Sequence, residues 1–73
     1  MNARSVGELL RRARHRKRLS QEELAELAGL HANTVIGIEL GRNDHNMGTY
    51  ELIGDALGLS LVDIARAAQR PVR

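Results

Sequence analysis

Apolar residues recur along this chain at helical rather than alternating spacing, and the clearest case is residues 20–41, SQEELAELAGLHANTVIGIELG. Leu24, Leu27 and Ala28 stand at i, i+3 and i+4, which gives a first short helix one apolar face. Ser20 with Glu23 three residues on is a capping-box start, and Gly29 is able to take the left-handed conformation that ends the helix. Val35 and Ile38 form the buried stripe of a second helix that stops at Gly41. Ala25 has almost no side chain, so this second helix is able to cross the first closely. A pair this short cannot bury itself and needs helices on either side.

The flanks supply them. Before the pair, Val6, Leu10 and Ala13 form a helical stripe with Leu9 at its edge, and Ser5 with Glu8 matches a second capping box. Arg11, Arg12, Arg14, Arg16, Lys17 and Arg18 take the other faces of that helix, where cations near the C-terminal end complement its dipole. After the pair, residues 42–45 read as a polar loop, Asp44-His45 as its tip. Asn46 caps a fourth helix with Met47, Tyr50, Ile53, Ala56 and Leu57 on its apolar side and Gly58 as its stop. Gly48 and Gly54 lie inside it, each at a cost of about 0.5–1 kcal/mol relative to Ala. Ser60 with Asp63 opens a fifth helix carrying Leu61, Val62, Ile64, Ala65 and Ala68. Pro71 ends anything helical, with the last three residues frayed. The pattern predicts an all-α chain, one domain over residues 1–73 with its core at about 5–68.

Two short helices joined by a tight turn, with support before and after, is the layout of a DNA-reading helix-turn-helix. Gln21, Leu24, Ala25, Gly29, Val35, Ile38, Glu39 and Gly41 stand in register with the phage repressor and Cro-like (Xre-type) helix-turn-helix family. Val6, Leu10, Arg14 and Leu19 before the pair extend the match. So do Met47, Tyr50, Ile53, Ala56, Leu57, Gly58 and Leu61 after it. The chain therefore resembles that family over most of its length, and the resemblance implies a five-helix λ-repressor-like domain. Two positions depart from the family pattern. Arg18 stands where Gly is usual, which predicts a non-Gly residue in a strained conformation. Gly54 stands where Ala is usual, which predicts close helix packing.

Composition narrows the function. There are 73 residues, no cysteine, one tyrosine and no phenylalanine or tryptophan, so disulfides, thiolate-held metals and base stacking as a main binding mode are set aside. The core is expected to supply about 3–5 kcal/mol of net stability. No apolar run approaches a membrane span and no signal peptide is visible, so a cytoplasmic protein is expected. The net charge of +2 is unevenly placed. Residues 1–18 carry seven Arg or Lys against one acid, and residues 19–73 carry four Arg against eight acids. Such asymmetry fits a polyanion partner or a solvated basic helix. His15, His31 and His45 lack metal-ligand spacing, and no nucleophile elbow or phosphate-cradling glycine loop is present. No enzyme, metal, cofactor or small-molecule ligand is expected.

Within the second helix of the pair, Ala32, Asn33, Ile36, Gly37 and Leu40 point away from Val35 and Ile38. Asn33 is suited to pair with adenine N6 and N7, or alternatively to cap the helix. Ala32 either touches a thymine methyl or is neutral. Gly37 either lets the helix approach the groove or is silent. Ile36 and Leu40 pack under the following loop, contact thymine methyls or join an interface. The resemblance implies that Gln21 binds a phosphate at a helix N-terminus, with Arg42 and Asn46 holding the backbone on the other side. It also implies an Arg14–Glu39 ion pair beside a phosphate. His31 stands where Ser or Thr is usual, as a phosphate contact or as a poor cap. Glu22 and Glu26 form an acidic face that contacts RNA polymerase in related regulators, the alternative being a solvated surface. The expected function is a sequence-specific transcriptional regulator, repressor or also activator, that binds a palindromic DNA operator as a homodimer. Leu59, Leu61, Val62 and Ile64 exceed what one face of a short helix needs, and some of them are expected to pair across the two-fold axis. Residues 20–40 hold four glutamates and no Lys or Arg, which keeps open an antitoxin-type regulator or a protein-interaction module.

Overall fold

Among the described residues, four of the five helices begin at a polar side chain that caps them. The computed structural model describes residues 2–42 and 45–71, and within them lie α1 (Ala3–Arg16), α2 (Gln21–Ala28), α3 (Ala32–Glu39), α4 (Met47–Leu57) and α5 (Leu61–Ala68). The capping boxes of Ser20 with Glu23 and Ser60 with Asp63 are both closed. The Glu23 N–H donates to Ser20 Oγ at 3.0 Å and the Ser20 N–H to Glu23 Oε1 at 2.9 Å. Asn46 starts α4 by accepting from the Thr49 N–H at 2.9 Å. These bonds hold the Glu23 and Asp63 carboxyls below their ordinary range, chiefly through the backbone N–H of the capping serine. Gly29 and Gly58 end α2 and α4 in the left-handed conformation.

The start of α1 differs from the expectation. Asn2 is the cap, accepting from the Ser5 N–H at 3.1 Å, and Glu8 instead faces Arg4 in an exposed i,i+4 pair at 3.5 Å. Asn2 wins because it holds both ends of the chain. Its backbone N–H donates to the Ala68 carbonyl at 2.6 Å and its side-chain amide to the Arg70 carbonyl at 3.2 Å. Arg18 is strained as predicted, with φ 56°.

The core is aliphatic. Val6, Leu10, Leu24, Val35, Ile38 and Ile53 are fully buried, with Tyr50, Leu57 and Ile64 around them. Two expected core residues are exposed, Leu27 at 63% and Met47 at 67%. In α2 the buried face is Leu24, Ala25 and Ala28. A period of 3.6 allows either neighbour of Leu24 to share its face, and the close α2–α3 approach selects the smaller residue, Ala25. Two glycines set helix separations. A Cβ on Gly7 would run into the Ile38 and Glu39 carbonyls of α3, and one on Gly54 would lie 2.9 Å from the Leu59 carbonyl. Close packing explains Gly54 as expected. Gly7 does the same where α1 crosses α3.

Candidate nucleic-acid interface

The α1–α3 crossing carries a buried ion pair. Arg14, on a face of α1 away from its apolar stripe by periodicity and paired with Glu39 by the family register, is buried against α3 and makes that pair. Its Nε donates to Glu39 Oε2 at 2.7 Å and its Nη2 to Glu39 Oε1 at 2.9 Å, while Nη1 donates to the Leu19 carbonyl at 2.8 Å. A bidentate, charge-assisted pair of this kind fixes orientation as well as energy. The hydrogen bond to Glu39 is the main reason the guanidinium is held even more firmly protonated than usual, against the opposing effect of burial. Gln21, first residue of α2, donates from Nε2 to Glu39 Oε1 at 3.2 Å. One carboxylate therefore ties α1, the start of α2 and the end of α3 into a single rigid unit.

Around this unit the expected positions divide. Asn33 is exposed on α3, and Ala32 and Ile36 are half-buried. Leu40 is 68% exposed. Gly37 is not an open position on the outer face: it is buried, and a Cβ there would lie 3.5 Å from Arg42 Cδ and 3.6 Å from His45 Nε2. The loop after α3 covers it because Gly41, at φ 86°, turns the chain back so that the Arg42 N–H donates to the Gly37 carbonyl at 3.0 Å. His31 stands in the cap position of α3 with extended backbone and no side-chain capping bond, which agrees with a poor cap. Arg42 and Asn46 are exposed, as are Glu22 and Glu26 on α2. So are Arg11, Arg12, Arg16, Lys17 and Arg18 along and after the C-terminal half of α1. His45, expected at a polar loop tip, instead sets its ring edge-on to buried Tyr50 at 6.3 Å; Asp44 lies outside the described residues.

The expected dimer residues are split by packing. Ile64 belongs to the protomer's own core at 6% exposure, whereas Val62 is 58% exposed. Leu59 and Leu61 are half-buried. An apolar groove of about 730 Å³ lies beside α5, with Met47, Tyr50, Leu61, Ile64 and Ala68 among its walls. Among the described residues no group of three or more His, Cys, Asp or Glu is placed to hold a metal. No helix there is long and apolar enough to cross a membrane.

A family model described as a helix-turn-helix domain matches residues 5–68. The chain belongs to that family. Solved structures agree. The fold is similar to the restriction–modification controller protein C.AhdI from Aeromonas hydrophila, 32% identical over 85% of this chain and 94% of that one, with a TM-score of 0.79. It is also similar to the clp gene regulator ClgR from Corynebacterium glutamicum, 27% identical over 90% of this chain and 70% of that one, with a TM-score of 0.79. The controller protein C.Esp1396I is 26% identical over 90% and 86% of the two chains, with a TM-score of 0.76. No curated protein sequence matches. Within this helix-turn-helix family member, sequence reasoning missed Gly7 and the Asn2 clamp. An isolated glycine inside the helical pattern of α1 was the available signal for the first.

Proposed function

We propose that this chain is a DNA-binding transcriptional regulator that reads a palindromic operator as a homodimer in the cytoplasm. The observation that carries the reading is the Arg14–Glu39–Gln21 cluster. It locks the start of α2 to the end of α3, so a phosphate held at Gln21 and the first N–H groups of α2 sets the depth of α3 in the major groove. Arg14 acts there as a positioning residue, through Glu39 and Gln21. Asn33 reads adenine beside Ala32, while His31 and Asn46 lie along the backbone. α3 spans about 12 Å at 1.5 Å per residue, enough for one groove. Two copies with half-sites about one DNA turn apart complete the operator. The second copy packs on α5, through Leu61 in the wall of the apolar groove, exposed Val62 and half-buried Leu59. Exposed Glu22 and Glu26 offer an acidic surface to RNA polymerase, in a protein that represses and also activates.

Selection from a random DNA pool, followed by gel shifts at two salt concentrations, tests this. A palindromic winner is expected, with a salt slope near −5 to −9 per dimer for about three to five phosphates neutralised per subunit. Asn33→Ala is expected to relax one operator position and leave non-specific binding unchanged. Absence of any enriched sequence would sink the regulator reading in favour of a protein-interaction module. Exposed Leu27 and Leu40 are the surfaces that favour this second reading.

A further inference from the structure

We infer that Arg42 is a base-reading residue, delivered onto the reading helix from the loop behind it and directed at guanine. The inference rests on the operator-reading function above. Gly37 lies within α3, yet the surface over it is occupied by side chains from outside the helix. A Cβ there would touch the Arg42 side-chain stem at Cδ, 3.5 Å away, and the His45 ring at Nε2, 3.6 Å away. Gly37 is four residues after Asn33 and therefore on the same face, one turn further along. The place where α3 lacks a side chain is thus filled by an arginine whose own backbone lies beyond the helix.

Three features make this delivery rigid. The Arg42 N–H is bonded to the Gly37 carbonyl at 3.0 Å. Gly41 packs so closely on α1 that a Cβ would lie 3.2 Å from Arg4 Cα, which anchors the turn from which Arg42 springs. His45, held edge-on to buried Tyr50, closes the other side of the Gly37 surface. With the stem laid on α3, Arg42 as a residue stays exposed, which leaves its guanidinium able to meet a partner while its stem moves with the reading helix. A phosphate clamp needs only a charge on a flexible tether. An arginine pre-ordered along the reading face presents its planar fork to guanine O6 and N7, the two acceptors that a bidentate contact requires. α3 otherwise carries no cation, so no other residue of the helix itself makes that contact. Four residues of helix span about 6 Å, and base pairs are stacked at about 3.4 Å. The guanine therefore lies within about two base pairs of the position read by Asn33.

The test compares wild type and Arg42→Ala by selection from a random pool, with binding to the winning site measured across salt. Circular dichroism checks that the exposed substitution leaves the helices intact. The expected result is a preference for G·C at one position per half-site that disappears in Arg42→Ala, with about a five- to 150-fold loss on the wild-type site and little loss on a site already changed there. Replacing that guanine by 7-deazaguanine, which lacks the N7 acceptor, is expected to weaken the wild type and leave Arg42→Ala unaffected. Uniform weakening of all sites, with a salt slope lower by about two per dimer, would make Arg42 a phosphate contact and overturn the inference alone. Failure of the wild-type chain to enrich any site would overturn the regulator reading together with it.

Discussion

Where α1 crosses α3, a guanidinium and a carboxylate are buried against each other and a glycine lets two backbones touch; where α4 meets α5, apolar side chains line an open groove and Val62 faces outward. The first region uses directional bonds. Each donor has a fixed acceptor, so only one arrangement of α1, α2 and α3 satisfies them. The second uses non-directional apolar surface, which tolerates a range of partners and positions. In the proposed function a helix that reads bases must be held to within a fraction of an ångström, whereas an association surface has to be sticky and accessible. The two chemistries fall where that proposal places those demands.

The sharpest break in that contrast is Arg14→Ala. It strands Glu39 in the interior, and an unpaired buried charge costs about 3–5 kcal/mol. That matches the whole net stability expected of a domain this size. The variant is expected to be largely unfolded at 25 °C by circular dichroism. Gly7→Ala comes next. The added methyl must displace the Ile38 and Glu39 carbonyls, and a loss of about 1–3 kcal/mol is expected in urea unfolding. Val62→Asp probes the other region and sharpens the comparison. Its folding stability is expected to stay within about 0.5 kcal/mol of wild type, while sedimentation at micromolar concentration shows a monomer. Dimers that persist in Val62→Asp would move the interface off α5.

The smallest effect is that of pH on the caps. Glu23 and Asp63 have folded-state values depressed below 4.5 and 3.8. Their contribution is therefore complete above those values and is lost as pH falls from them through the lower folded values. Thermal melts of the wild type are expected to decline over that acidic window. Glu23→Gln, with nothing to protonate, is expected to decline less steeply.

Helix starts and stops were written locally and were legible. Ser20 with Glu23, Ser60 with Asp63, Asn46, Gly29 and Gly58 each act on neighbours two to four residues away, so the sequence around them suffices. Ser5 with Glu8 satisfied the same local rule and still lost to Asn2, whose advantage comes from the far end of the chain. The same distinction explains the interface. The Arg14–Glu39 pair was visible only through the register shared with a known family, because 25 residues separate its members. Leu27 and Gly37 were misplaced because periodicity gives the width of a helical face but not which neighbour covers it. Covering Gly37 required Gly41 to turn the loop back, a three-dimensional fact that no spacing within α3 contains.

Arg18 sets backbone strain against surface charge. Its positive φ costs about 1 kcal/mol or more that a glycine would not incur, yet it adds an exposed positive charge to the basic end of α1. Arg18→Gly is expected to raise the melting temperature by a few degrees and to flatten the salt dependence of DNA binding. Selection for heat resistance alone would therefore drive this position toward glycine and remove one positive charge from the basic end of α1.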